Sequence, residues 1–352
     1  MFSMNSFARG GAALAAVSVL VAGCTTPSQA PASAPTQTQA TPANVTIMVG
    51  GLDKQIYLTA TLAKQLGYYD AEGVNVQLVD EPSGQSAETS LLAGEVQVAF
   101  GSYDHPIDLA GLGKQVVNVF QATIAPGEAE MVSATMAESI KSPADFKGKN
   151  LGITSIGSGT HTLTEFLSVK NGVPIDQIQP IPVGAGNTFI AAMQQGKIDA
   201  GMTTEPTISR LVKSGVGKVL VDLRTPESTR AALGGDYPFT NFFVDAKWMN
   251  SNKPTVQKLV NAWVKTHKWI KAHTPEEITA QMPQDYYAGD PDLYLTALKG
   301  EVGMYSPDGR VPQGGPEFVL SVLQQFDDNV KSKQIDLSKT YTTEFVDKAN
   351  AS

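Results

Sequence analysis

From Val45 onward this chain alternates short apolar runs with helical stretches, and that alternation leaves few folds open. Residues 45–49, 74–79, 96–101 and 116–123 are strand-length runs rich in β-branched residues, with helical patterns at 56–66 and 87–93 between them. The same grammar repeats further on. Strands are expected at 150–154, 178–183, 200–203 and 218–222, separated by helices at 160–170, 188–195 and 206–213. Such a pattern predicts an α/β fold in which largely parallel strands are covered by helices on both faces. Two repeats of it predict two lobes, because the roughly 310 residues that follow a polar N-terminal stretch exceed what one hydrophobic core usually serves.

Beyond residue 222 the character changes. Residues 225–236 are rich in Gly, Pro and charge, and 239–244 read as one more strand. Val256, Leu259, Val260, Trp263, Val264, His267 and Ile270 then recur on one face of a helix. A second amphipathic helix is expected over 316–331 through Phe318, Val319, Val322, Leu323 and Phe326, with Pro316 placed to start it. These helices have no sheet of their own, so the chain is expected to return to the first lobe. The resulting division is a signal segment at 1–23, a tether at 24–44, a first lobe built from 45–128 and 238–352, and an inserted second lobe at 129–237.

Ahead of this body an apolar run at 12–22 precedes Cys24, the chain's one cysteine. A short start carrying Arg9, an apolar centre too short to span a bilayer and small residues before the cut make a secretory signal. Leu20-Val21-Ala22-Gly23-Cys24 also resembles the lipobox of bacterial lipoproteins, whose acylated cysteine becomes the first mature residue. Cys24 is therefore the expected lipid anchor to a bacterial membrane, with the folded part in the periplasm or cell envelope. A plain secretory signal with an incidental Cys24 is the other reading. Residues 25–44 carry no charge, no aromatic and repeated Pro, a composition suited to a disordered leash. Loss of residues 1–23 moves the formal charge from −8 to −9, which argues against nucleic acid as a partner. A single cysteine excludes a disulfide framework and any metal site built on cysteines, and no cofactor motif stands out.

Polar, Gly-rich loops follow four of the expected strands. Ser155 to Thr162 joins a strand to a helix, presenting free backbone N–H groups and a helix dipole to a small anion. A dinucleotide fingerprint would need glycine at Thr162, and no P-loop lysine follows. Ser158 or Thr160 could equally serve as a plain helix cap. Gly50 to Gln55, Gly101 to His105 and Thr203 to Pro206 occupy equivalent positions, and ligands of open α/β sheets bind beyond the carboxyl ends of strands. Catalysis finds less support. His267 and His273 fall on or beside a packing stripe, His105 and His161 show no metal-binding spacing, and no GxSxG elbow occurs. A periplasmic enzyme using His105, His161, Asp104 or Glu205 remains the alternative.

The runs LAKQLGYYDAEGVNVQLVD, SLLAGEVQVAFGS, SPADFKGKNLGITSIGSGTHTLTEFLSVKNGV and FIAAMQQGKIDAGMTTEPTISRL resemble the substrate-binding proteins of ABC importers in the nitrate/sulfonate/taurine, NMT1/THI5-like group. The resemblance spans most of 45–245. It implies a type II periplasmic-binding-protein fold, with two α/β lobes joined by a two-strand hinge near 123–131 and 236–241. The implied protein is a monomer that closes on a small molecule and docks on permease subunits. Mapped residue by residue, the ligand loops correspond to Leu52, Asp53, Lys54 and Gln55, then Ser102, Tyr103 and Asp104, then Ser158, Gly159 and Thr160, and finally Thr204 and Glu205. Lys54 or His161 would offer positive charge, and Tyr103 could stack on the ligand. The implied ligand is a small organic anion such as a sulfonate, a taurine-like compound or an aromatic carboxylate. Asp104 and Glu205 sit badly with a bare inorganic anion and keep a pyrimidine precursor open as an alternative. The enzymatic yeast-type branch of the group carries a Cys-rich site that this chain lacks.

Overall fold

In a computed structural model of the chain, residues 42–351 are described. The signal segment, Cys24 and all of the tether up to residue 41 lie outside them. The ordered strand begins earlier than the expected tether end: Ala43 and Asn44 already pair with Val74 and Asn75.

Among the described residues, ten strands form two sheets. They are β1 (Ala43–Val49), β2 (Val74–Asp80), β3 (Val98–Ser102), β4 (Val116–Gln121), β5 (Glu128–Ser133), β6 (Asn150–Ile153), β7 (Gln179–Pro182), β8 (Ala200–Thr204), β9 (Gly217–Leu223) and β10 (Thr240–Asp245). One sheet has the order β2-β1-β3-β10-β4 and the other β7-β6-β8-β5-β9. β1 runs parallel to β2 and β3, and β6 runs parallel to β7 and β8. β10 is antiparallel to β3 and β4, and β5 is antiparallel to β8 and β9. Each sheet thus contains one reversed strand, laid down just after the chain crosses from the other sheet. The crossings run from Gln121 to Glu128 and from Leu223 to Thr240, and they are tied to each other. Phe239 N–H donates to Thr123 O (3.0 Å), Ala122 N–H to Thr240 O (2.8 Å) and Thr240 N–H to Thr123 Oγ1 (2.9 Å).

The helix Lys253–Ala272 buries every residue of the expected stripe, from Val256 to Ile270. It packs on the first sheet through Trp263, whose ring stacks on Phe242 of β10 at 3.9 Å. Phe242 in turn stacks on Phe100 of β3 at 3.7 Å. Trp263 Nε1–H donates to the Tyr69 hydroxyl at 2.8 Å, so the polar edge of the indole is satisfied inside the core. His267 is also a core residue. Its Nδ1–H donates to Ser306 O (2.6 Å), leaving Nε2 to accept from the Thr59 hydroxyl (2.9 Å), and burial holds its pKa down at about 4. His273 stacks on Trp269 at 3.9 Å.

Several segments differ from expectation, β5 among them, a sheet strand where only the hinge was expected. The Gly, Pro and charge-rich stretch contains a helix, Pro226–Leu233, started by the Thr225 cap with Pro226 in its first turn and ended by Gly234 in the left-handed region. A helix at Asp104–Gly111 follows β3 directly. The expected helix at 316–331 ends at Leu323. Asp327 Oδ1 accepts from Asn329 N–H (2.8 Å), a local turn bond that competes with helix continuation. Because Trp263 links two helices to the centre of the first sheet, Trp263→Ala is expected to cost about 3 to 5 kcal/mol, read as a lower urea midpoint at unchanged slope.

Candidate functional site

The carboxyl ends of β1, β3, β6 and β8 and the two crossings meet around one small cavity. About 20 Å³ within it is open to the centre of a water molecule, room for one or two waters. Lys54, Ser83, Gly84 and Ser102 line it from the first sheet's side, and Thr154, Ser158, Gly159, Thr160 and Thr204 from the other. Glu128, at the start of β5, and Phe239, just before β10, close it along the crossings, with Ile56 and Tyr57 beside them.

Two helix starts face each other here. Ser83 caps the helix Gly84–Leu92 and Ser158 caps the helix Gly159–Lys170, each hydroxyl accepting a backbone N–H from the first turn. The Ser158 hydroxyl donates to Ser155 O (2.7 Å), and Thr160 Oγ1 accepts from Thr154 N–H (2.9 Å). With its one proton committed, Ser158 receives the Thr160 hydroxyl at 2.7 Å. These hydroxyls hold the loop in shape, and the N–H groups of Gly84, Gly159 and Thr160 have no acceptor among the described residues. Such groups, at the positive ends of two helix dipoles, are what an anion binds. Glycine is needed for the approach. A Cβ on Gly159 would stand 2.4 Å from the Phe239 ring, and one on Gly50 would stand 2.4 Å from Gly84 N. The two sides also bond directly, through Ser155 Oγ to Ser83 Oγ (2.9 Å) and Gln55 N–H to Glu205 O (3.3 Å).

Lys54 is the buried cation of the cavity. Its ammonium donates to Gly50 O (2.6 Å) and Pro82 O (2.9 Å), which leaves one of three N–H groups uncommitted. Burial lowers its pKa to about 8, against the opposing pull of Asp53, Glu128 and Asp80. Glu128 is buried, and its Oε2 has no hydrogen-bond partner among the described residues. Burial, reinforced by the charge of Asp104, holds this carboxyl well above the usual range, which favours its protonated, donating form. Two residues along β5, burial raises Glu130 to about 8 although Thr164 donates to its Oε2 at 3.1 Å.

Of the residues anticipated from sequence, Lys54, Ser102, Ser158, Gly159, Thr160 and Thr204 come together at the cavity. The others point elsewhere. Leu52 N–H is held by Asp80 Oδ1 (2.7 Å), and Asp53 lines a separate groove of about 210 Å³. Gln55 Nε2 donates to Tyr294 O (2.8 Å). Tyr103 is fully buried in the first core, its hydroxyl donating to Thr340 Oγ1 (2.7 Å), so it offers no face for stacking. The Glu205 carboxylate accepts from Ser209 N–H (3.0 Å), the Ser209 hydroxyl (2.9 Å) and Arg224 Nη1 (2.9 Å), which accounts for its charge. Asp104 and His161 line a second cavity next to the first, together with His105. Ser83, Gly84, Thr154, Glu128 and Phe239 were not anticipated. The turn Pro82-Ser83-Gly84 after β2 carries the same signal as the other strand ends. Glu128 and Glu130 announce themselves as carboxylates inside the run Glu128–Ser133, every residue of which is buried.

Two five-stranded mixed sheets, each with one reversed strand next to a crossing, and a cleft at their strand ends define the type II periplasmic-binding-protein fold. The chain belongs to the NMT1/THI5-like family, whose model matches residues 57–278. A solved protein from Bordetella bronchiseptica is 32% identical, covering 88% of this chain and 97% of its own, with a TM-score of 0.84. The alkanesulfonate-binding protein SsuA from Xanthomonas axonopodis pv. citri, solved bound to MOPS, is 17% identical over 86% of this chain and 99% of its own (TM-score 0.65). The periplasmic nitrate-binding protein NrtA from Synechocystis is 13% identical over 88% and 89% (TM-score 0.70).

The raised carboxyl of Glu130 sets a pH dependence. The native state keeps a proton that the unfolded chain releases above about pH 4.5, so this contribution to stability is complete below that pH and is lost as pH rises through about 8. The decline has a limiting slope of about 1.4 kcal/mol per pH unit for this one group. Urea midpoints measured from pH 5 to pH 8 should therefore fall in the natural protein and fall less steeply in Glu130→Gln.

Proposed function

We propose that this protein is the exported solute receptor of an ABC importer, lipid-anchored through Cys24, whose two lobes close on a small organic anion and deliver it to a permease. The observation that carries this reading is the meeting of two helix N-termini and the buried ammonium of Lys54 at one cavity between the sheets. Alkanesulfonate and nitrate, named for two structural neighbours, are anions of the kind such donors suit. The protonated Glu128 adds a hydrogen-bond donor suited to a sulfonate or carboxylate oxygen. Ligand bonds made to both helix starts at once would exist only with the lobes together. They would favour the closed state by differential affinity, and a permease would read that closure. The space in the cavity is small, so a ligand of several heavy atoms would enter with the lobes apart and hold them slightly wider than seen here.

Calorimetry against methanesulfonate, benzoate, nitrate and a neutral pyrimidine tests the reading. At least one anion is expected to bind saturably and to lose about tenfold or more in affinity in Lys54→Met, because a charge-assisted hydrogen bond disappears. Thr160→Ala should weaken the same binding by about 1 to 3 kcal/mol through collapse of the Ser158–Thr160 bond that shapes the loop. Saturable binding of the pyrimidine alone would replace the anion. In the host, palmitate labelling should disappear in Cys24→Ala.

A further inference from the structure

A second, larger cavity of about 430 Å³ lies next to the first, beyond Gly84 and Ser158, and its chemistry is opposite. It is lined by carboxylates from four segments: Glu88 from the helix after β2, Asp104 and Asp108 from the helix after β3, Glu165 from the helix after β6, and Asp327 and Asp328 from the C-terminal turn. Among the described residues no lysine or arginine lines it. The two histidines do not supply the missing charge in equal measure to the acids. His161 Nδ1 accepts from Gly157 N–H (3.2 Å), so its proton sits on Nε2, facing Glu165 Oε1 at 3.3 Å, and burial pushes its pKa down to about 4. His105 lies 3.4 Å from Glu88 and hydrogen-bonds Ser102 at 3.1 Å.

Two buried atoms lining this cavity have no hydrogen-bond partner among the described residues, His105 Nδ1, which lies 3.4 Å from Glu88, and Asp104 Oδ2. Asp104 is 2% exposed, its Oδ1 accepts from His105 N–H at 3.1 Å, and its Oδ2 has no hydrogen-bond partner. A buried carboxylate oxygen left without a donor is costly, and a ligand N–H would satisfy it. The accumulated acids feel one another: burial, with Asp327 nearby, lifts Glu165 to about 7, and burial, with Asp108 and Asp104, lifts Asp327 to about 6. The remaining wall is apolar. Ile156 and Leu112 are more than half exposed at its rim, and Leu323 and Phe326 lie buried behind it. Among the described residues no three His, Asp or Glu side chains are grouped closely enough to hold a metal ion, so a bare divalent cation has no cage.

We propose that this second cavity binds an organic cation, an ammonium group on an apolar body, with the ammonium against Asp104 and the body along Ile156 and Phe326. Its walls come from both halves of the fold, so such a ligand joins them at a point separate from the anion donors. The inference does not rest on the anion reading.

Titration of the protein with benzylammonium chloride, with benzyl alcohol as neutral isostere and methanesulfonate in parallel, tests it. Benzylammonium is expected to bind saturably and at least about tenfold more tightly than benzyl alcohol, since the alcohol lacks the charge-assisted bond. Asp104→Asn should remove most of that advantage. Glu165→Gln, a near-isosteric change at a partly buried position, should reduce it severalfold with the circular dichroism spectrum unchanged. Benzylammonium binding with no anion binding would support this site while removing the anion reading. Methanesulfonate binding with benzylammonium no tighter than benzyl alcohol would overturn this site and leave the anion reading standing. Benzylammonium affinity unchanged in both variants would also overturn it.

Discussion

Neither sheet is complete without a strand delivered by the chain as it crosses between them. β10 fills the gap between β3 and β4, and β5 fills the gap between β8 and β9. Both strands run against their neighbours because each enters from the opposite sheet. The two crossings must then lie side by side, and the hydrogen bonds among Ala122, Thr123, Phe239 and Thr240 fix them there. Everything at the cavity follows from this pairing. Residues at the ends of the crossings, Glu128 and Phe239, become its floor, and the strand ends of both sheets are turned toward the same space.

The same constraint explains why ionisable groups are buried at that floor. Strand β5 has both edges paired and every residue buried, so Glu128 and Glu130 have nowhere to reach water. Among the described residues neither carboxylate has an ion-pair partner in contact, and burial with the charge of Asp104, opposed by Lys54, pushes Glu128 toward its protonated form. A protonated acid and a partly desolvated ammonium are a poor choice for stability alone, since apolar side chains of similar size would fill the space at lower cost. Their presence beside two helix starts whose first N–H groups remain free is the kind of local conflict that accompanies a binding site.

Much of the architecture was legible in the sequence because it depends on local periodicity. The stripe from Val256 to Ile270 and the alternation of strands and helices require no knowledge of what they pack against. The helix Pro226–Leu233 was also legible, through Thr225, Pro226 and Gly234, but the charged composition of its surroundings obscured those signals. What could not be read was convergence. Lys54 and Thr160 sit at strand ends, where a topological rule applies, whereas the inclusion of Glu128 and Phe239 depends on which strands the crossings join. Tyr103 shows the converse failure. It occupies a ligand-loop position by sequence, yet the helix Asp104–Gly111 starts immediately after it and turns its ring into the core against Thr340.

The charge distribution along the cleft carries one further consequence. Positive helix ends and Lys54 occupy the small central cavity, while the adjoining wider one holds six carboxylates and no lysine or arginine. Asp104 links the two fields, since its charge raises Glu128 on one side and Asp327 on the other. An anion approaching from the wide side meets repulsion from Glu88, Glu165 and Asp328 before it reaches the donors. From the opposite side, the groove of about 210 Å³ at Asp53 and Asp80 also contains Lys54 and Arg210. In that groove Asp53, Asp80 and Glu81 outnumber Lys54 and Arg210, so neither approach is net positive, and the positive field is confined to the helix starts and Lys54 at the centre.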